Sequence, residues 1–344
     1  MNIENEFENE NTSNSGGGII SEVNGSINLT INRCVNKTNI KNGMTIGGII
    51  GCVNDDTQLN IYNSKNLVQL TYGGNVGGMI GQVNGENICV NIENSSSTGE
   101  EERINVGFYG GCIGNVSKMN KLEIKDFSSN EKIIVVNGRS GIYSGVVGKI
   151  QNSKEVKINN IRTNGKIKSE ESQSLRMAGV IGEIDGNENY DTNVEISNAE
   201  NGCDIESNLS AAGIIDYIYG SNMNFKINEN TNNGNITTKN ICSGIVGEIS
   251  GQSDINITKS ENNGTLNSDR TVGGIIGYAN GKKIIIDECK NKGNVGAASG
   301  DVDSMDSIGG IIGNSDNNVQ IIRVSNCEND IESFDCNYGR WNNW

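Results

Sequence analysis

The residues able to do chemistry are sparse and poorly matched to one another. Acid–base cleavage of a glycoside needs two carboxylates facing each other across the bond. The one Asp-Asp pair, Asp55-Asp56, lies in a turn ("VNDDTQ"). Histidine is absent, which removes the commonest general base and the Ser-His and Cys-His nucleophile pairs. The nine cysteines include no Cys-x-x-Cys spacing, so neither a zinc knuckle nor a dithiol motif is present. Two stretches carry the acidic oxygens that calcium favours. "DGNENYD" (185–191) begins like an EF-hand loop, but Tyr190 stands where glycine is required and Ile196 where a bidentate glutamate belongs. "DVDSMD" (301–306) gathers Asp301, Asp303 and Asp306, a weak candidate metal site. The expectation is a chain with no catalytic residues and no cofactor.

Charge narrows the partners. Lys and Arg number 27 against 42 Asp and Glu, a net charge of −15, which repels phosphate backbones and anionic lipid. No apolar run approaches the roughly 18 residues of a membrane helix. Nucleic acid and membrane insertion are therefore not expected. The opening "MNIENEFENE" is acidic and lacks the basic and apolar regions of a signal peptide. No anchor is visible either.

What must position any site is a repeat. The ten segments "GGIIS", "GGIIG", "GGMIG", "GGCIG", "SGVVG", "AGVIG", "AGIID", "SGIVG", "GGIIG" and "GGIIG" place their second glycine at 18, 48, 78, 111, 145, 179, 213, 244, 274 and 310. The spacing stays between about 30 and 36 residues, the mark of stacked units. Each period holds three strand-like pieces: the Gly-rich signature, an alternating run such as Ile27-Leu29-Ile31, and a short piece after an Asn-Gly turn, as in "NNGNIT" (232–237). Asn-Gly tolerates positive φ and so marks corners. Helical spacing of apolar residues is interrupted throughout. The pattern predicts an all-β, single-stranded parallel β-helix of about ten coils with roughly three strands per coil. At about 4.8 Å per coil it would be roughly 50 Å long. The repeat domain spans 16–332, between an acidic N-terminal cap (1–15) and a C-terminal aromatic tail (333–344). Ile ladders should fill the interior, with Asn ladders hydrogen-bonding along the axis. Cys34, Cys289 and Cys327 recur in equivalent settings and are expected as small buried apolar groups.

Strict alternation gives the signature one inward parity (Gly47, Ile49, Gly51, Val53) and one outward parity. Yet the outward parity is apolar in two columns: Ile46, Val76 and Val272 in one, and Ile50, Ile80, Ile113, Val147, Ile181, Ile215, Val246, Ile276 and Ile312 in the other. A strand apolar on both faces is normally covered on both. Three explanations stay open: another part of the chain covers the wall, a bulge at the glycine pair turns both columns inward, or the wall is a contact surface for self-association or a partner. Both tryptophans, Trp341 and Trp344, lie in the tail, as a lid over the last coil or a platform for a sugar or peptide.

The signature resembles the GLUG repeat family over about residues 17–330, through "GGIIG", "GGMIG" and "SGIVG" followed by "NNG" turns. The resemblance implies a β-solenoid of bacterial surface or secreted proteins, often adhesin-like or stalk regions, with a host or surface glycan or protein as partner and an extracellular location. The family has no agreed catalytic residues to carry over. The reading is a non-catalytic, elongated adhesin-like or structural stalk. A carbohydrate-binding or polysaccharide-degrading β-helix is one alternative, and a self-assembling or phage-type fibre component another.

Overall fold

Alternating β-branched and polar residues lay the chain down as strands, and vertical repetition of like residues stacks them. A computed structural model of the chain describes residues 4–5, 9–10, 14–41, 43–100, 102–136, 141–170, 175–298, 305–331 and 334–335. It is all-β, a parallel β-solenoid of about nine turns. The signature strand recurs in ten rungs, numbered here from the N-terminus, from Ser15–Gly17 to Ser307–Gly309. Gln58–Tyr62 pairs in register with Asn28–Asn32 on one side and Cys89–Glu93 on the other, so Ile31, Ile61 and Ile92 form a single column. The pairing extends beyond the expected repeat boundary: Glu4–Asn5 lies beside Val35–Asn36, and Asn9–Glu10 beside Ile40–Lys41.

Two of the three expected pieces are each broken by a bend. In rung eight, Ile241–Ser243 runs into the bend at Gly244, and Val246–Thr258 carries the chain across the next walls. Glu261–Asn262 then forms the corner, and Leu266–Ser268 closes the coil. The positive φ expected of the Asn-Gly pair is present at Gly165 (114°) but not at Gly234 or Gly264, and a regular positive φ sits earlier. The residue two before each corner strand, from Arg33 and Asn63 to Glu288 and Asn326, holds φ between 48 and 58° in all ten rungs. Six of these ten are Asn or Asp, which enter this region most readily. Gly234, Gly264 and Gly293 are needed for a different reason: a Cβ there would lie 1.9–2.0 Å from a carbonyl of the preceding rung.

The glycine pair makes a bulge. The amides of Ile49 and Ile50 both donate to Met79 O, each at 2.9 Å, so two consecutive side chains turn to the same side. The bulge responds to the residue at the first glycine position. Where that is glycine, the first of the two bonds is 2.8–3.1 Å; with Ser144 or Ser243 it is 3.2 Å; with Ala178 or Ala212 only the second amide, of Ile181 or Ile215, keeps its bond. The second glycine is never replaced. A Cβ on Gly213 would lie 2.2 Å from Gly244 O and 2.6 Å from the Asn232 amide carbon.

That amide belongs to a buried ladder. Asn36 donates to Asn66 (2.9 Å) and Asn66 to Ser97 (3.2 Å). Further on, Thr163, Asn201, Asn232, Asn262, Asn291 and Asn329 are joined by bonds of 2.7–2.9 Å. The ladder stands between two apolar cores. Ile49, Ile50, Val53 and Ile61 belong to the larger one, and Ile46, Val76, Tyr109, Met177 and Val272 to the smaller.

This settles the apolar wall in favour of the bulge. Ile46, Ile50, Val76, Ile80, Ile113, Val147, Ile181, Ile215, Val246, Val272 and Ile276 are all fully buried, and Ile312 in the last rung is half-buried. They are core residues and not an interaction surface. The assumption of unbroken period-2 alternation misplaced them. Cys34 and Cys289 are buried and Cys327 half-buried; all eight described cysteines are unpaired.

Candidate functional site

The last residue of the signature is Ser21 in rung one and then a glycine column, Gly51, Gly81, Gly114, Gly148, Gly182, Gly247, Gly277 and Gly313, interrupted only by Asp216 in rung seven. Elsewhere in this seam a Cβ would meet the neighbouring rung at 2.2–2.7 Å. Rung seven carries small residues before the bend, "SAAG", with Ala211 opposite Met177. Ser210 Oγ donates to Asp216 Oδ2 at 2.8 Å.

Arg176, one rung back, extends over this carboxylate. Its Nη1 is 3.7 Å from Asp216 Oδ2 and 3.4 Å from Glu248 Oε2, so one guanidinium spans rungs six to eight. Its planar face lies 3.6 Å from the centroid of the Tyr217 ring, a stacked cation–π contact. Tyr219 also stacks with Tyr217, at 5.9 Å with 20° between the rings, and Tyr219 is 50% exposed. The charges continue into rung five, where Lys149 pairs with Glu183 at 2.8 Å and Asp185 at 3.7 Å. Lys149 also sits 5.8 Å over the Phe108 ring. Basic, acidic and aromatic side chains from rungs four to eight thus share one outer strip.

Burial sets the electrostatics. Asp216 is completely buried; desolvation pushes its carboxyl up to about 7, against the pull of Arg176 and Ser210. Burial opposes the charge on Arg176, but Asp216 and Glu248 outweigh it and the guanidinium is held more firmly protonated. Burial also raises the Asp185 carboxyl, with Lys149 acting the other way, and raises the Tyr217 hydroxyl with help from Glu248. Because Asp216 is inaccessible to solvent, its chemical role here is to anchor Arg176. What the strip presents outward is the Tyr219 ring with carboxylates beside it.

The residues singled out from sequence are dispersed. Asp55 and Asp56 occupy a turn at φ 46 and 39°, and Asp56 accepts a bond from Asn87. Asp306 pairs with Arg270 at 2.8 Å, whereas Asp301, Asp303, Trp341 and Trp344 lie outside the described residues. In the EF-hand-like stretch, Asp185 is held by Lys149 and by Gln151 at 3.0 Å. Among the described residues no three acidic or cysteine side chains converge as a metal site. Sequence reading passed over Asp216 and Arg176. The signal was there in "AGIID", where one repeat breaks the glycine column and gains a charge. Comparison with family models, curated proteins and solved structures gave no match to this chain.

Proposed function

We propose that the chain is a non-catalytic, elongated β-solenoid that serves as an adhesin-like or structural stalk segment at a bacterial cell surface. One observation carries this reading: axial hydrogen bonding is continuous from rung to rung in the sheet, and the buried ladder adds side-chain bonds over rungs one to three and five to ten. A stack bonded throughout its length is a stiff spacer, and its stability is the sum of its interfaces. The outer ion pairs reinforce this, since Lys149–Glu183 and Arg176–Glu248 tie adjacent or alternate rungs. The resemblance to GLUG repeats supports the surface location. The experiment is small-angle scattering together with a polysaccharide cleavage panel. A rod of monomer mass and no release of sugar ends is expected; a compact particle, or turnover of any polysaccharide, would overturn the reading.

A second reading, carbohydrate binding by the same stalk, is favoured by the Tyr217–Tyr219 stack. An exposed aromatic face beside hydrogen-bonding carboxylates suits the apolar face and hydroxyls of a neutral sugar. Glycan-array binding abolished by Tyr219→Ala would support it, and binding unchanged in that variant would sink it.

A further inference from the structure

The asparagine ladder has a gap, and what fills it is a buried acid. In rungs three and four the ladder positions are Ser97 and Ser129, and the Ser129 hydroxyl has no partner. Alongside them Glu131 stands in the column that is Gly99 in rung three and Gly165 in rung five. Its side chain is 2% exposed, as is Tyr109, and Gln69 is 5% exposed. Gln69 Nε2 donates to Tyr109 Oη at 3.0 Å. The Tyr109 hydroxyl must therefore spend its one proton on Glu131 Oε2, at 2.8 Å. Ser97 also bonds the Glu131 carboxyl.

The open end of this chain is informative. Gln69 Oε1 and Glu131 Oε1 are both buried without a partner. Gln69 Oε1 and Glu131 Oε2 converge on Gly99, lying 1.7 and 2.6 Å from where a Cβ there would sit. Two acceptors facing one another in a dry interior repel unless a proton lies between them. The titratable groups facing Glu131 are Tyr109 and, further along the stack, Cys203, both kept neutral by burial. Among the described residues no ion pair reaches its carboxyl, and a lone buried charge is the costliest group a core can hold.

We propose that Glu131 is carried as the neutral acid, its proton donated to Gln69 Oε1. A closed ring Gln69–Tyr109–Glu131 then substitutes for the amides missing from the ladder, and ionisation of Glu131 as pH rises opens this stretch of the solenoid before the rest. Gln69 Oε1 then gains the donor it lacks, and the Tyr109 hydroxyl links Gln69 Nε2 to Glu131 Oε2. Burial raises the Glu131 carboxyl above its ordinary range. The folded state thus keeps a proton that the unfolded chain releases, and stability from this group falls as pH rises through the folded value.

The test compares the wild type with Glu131→Gln, which retains a donor for Gln69, and with Tyr109→Phe, which keeps the ring volume and removes the bond. Infrared difference spectra of wild type minus Glu131→Gln should show the carbonyl band of a protonated carboxyl, lost on raising the pH. Hydrogen exchange at Ile104, Ile133 and Val135 should accelerate with pH beyond the intrinsic hydroxide dependence in wild type. That excess should vanish in Glu131→Gln and extend to higher pH in Tyr109→Phe, because the Tyr109 hydroxyl bonds the charged carboxyl and holds its pKa down. The difference between wild type and Glu131→Gln removes the contribution of Asp216, which both chains share. Absence of the carboxyl band, or equal excess exchange in wild type and Glu131→Gln, would overturn the proposal. So would a melting temperature that rises with sodium, potassium or calcium in wild type alone, since a cation would then hold the charge.

Discussion

Replacing Asn232 by alanine removes a side chain that touches no solvent, and the ladder geometry sets the cost. Its Nδ2 donates to Asn262 Oδ1 at 2.7 Å and to Gly234 O at 3.0 Å, while its Oδ1 accepts from Asn201 at 2.7 Å. Three buried hydrogen bonds at about 1 kcal/mol each, plus about 1–2 kcal/mol for leaving Asn262 Oδ1 without its donor, give roughly 4–5 kcal/mol. Asn201 limits the damage because its Nδ2 still donates to Cys203 O at 3.2 Å. Asn232→Asp is the control for shape. It preserves volume and still accepts from Asn201, but turns an oxygen toward Asn262. Its loss should exceed that of alanine at pH 8 and shrink on acidification, because the buried carboxyl has a raised pKa and regains a donor once protonated.

A long repeat array need not unfold as one unit. The assay is therefore hydrogen exchange at the Ile205 and Ile236 amides, which donate to Asn235 O and Thr265 O at 2.9 Å, supported by urea denaturation. If both variants lose less than about 0.5 kcal/mol at these amides, the ladder is a by-product of stacking and the account of the second glycine fails with it.

Stability should fall between about pH 4 and pH 7, because folded Asp216 holds its proton up to about 7 while the unfolded chain releases it near the ordinary value. Denaturant midpoints should fall less steeply across this range in Asp216→Gly, the Glu131 contribution remaining, and an unchanged slope would refute the assignment to Asp216. Ile50→Lys or Ile276→Lys should unfold the surrounding rungs, since both side chains are fully buried. Circular dichroism and light scattering would distinguish this from separation of a folded dimer into folded monomers. Burial raises the thiols of Cys112, Cys203 and Cys242 well above their ordinary range. They should resist maleimide in the native chain and react only in denaturant; rapid native labelling at any of the three, read by mass spectrometry, would contradict their burial.

The coil and its stacking were legible because they rest on chain-wide regularities: the repeat length, and the alternation that sends Ile61 inward and Asn60 outward. The direction of Ile50 was not, because it depends on two amides sharing the Met79 carbonyl, and no period of 2 encodes that bond. The Asn-Gly corners were legible, but a positive φ accounts for Gly165 and not for Gly234 or Gly264. Their glycines answer to a carbonyl in the preceding coil, about thirty residues away. Axial asparagine bonding was expected, yet its place inside the solenoid became visible only when Gly213 and Asn232 were seen to touch. Arg176 and Glu248 stand 72 residues apart in sequence; only the stacking makes them neighbours.

In a molecule built by repetition, the shared residues explain the scaffold, so what is particular to this chain must lie where the repeat is broken. Both interior breaks come as sets. Asp216 occurs with Ser210, Ala211, Ala212 and Arg176; Glu131 occurs with Ser97, Ser129, Gln69 and Tyr109. A glycine changed to aspartate at 216 alone would bury an unpaired carboxylate, a penalty of several kcal/mol. Arginine at 176 alone would lose the carboxylate beneath it and keep only Glu248 and the Tyr217 ring. Each set is tolerable when complete and costly when partial, so neither is the residue-by-residue drift expected of a neutral spacer. Of the two, only the Asp216 set reaches the surface, through Arg176 to the exposed Tyr219 ring, and on the function proposed above that strip is where a partner would make contact.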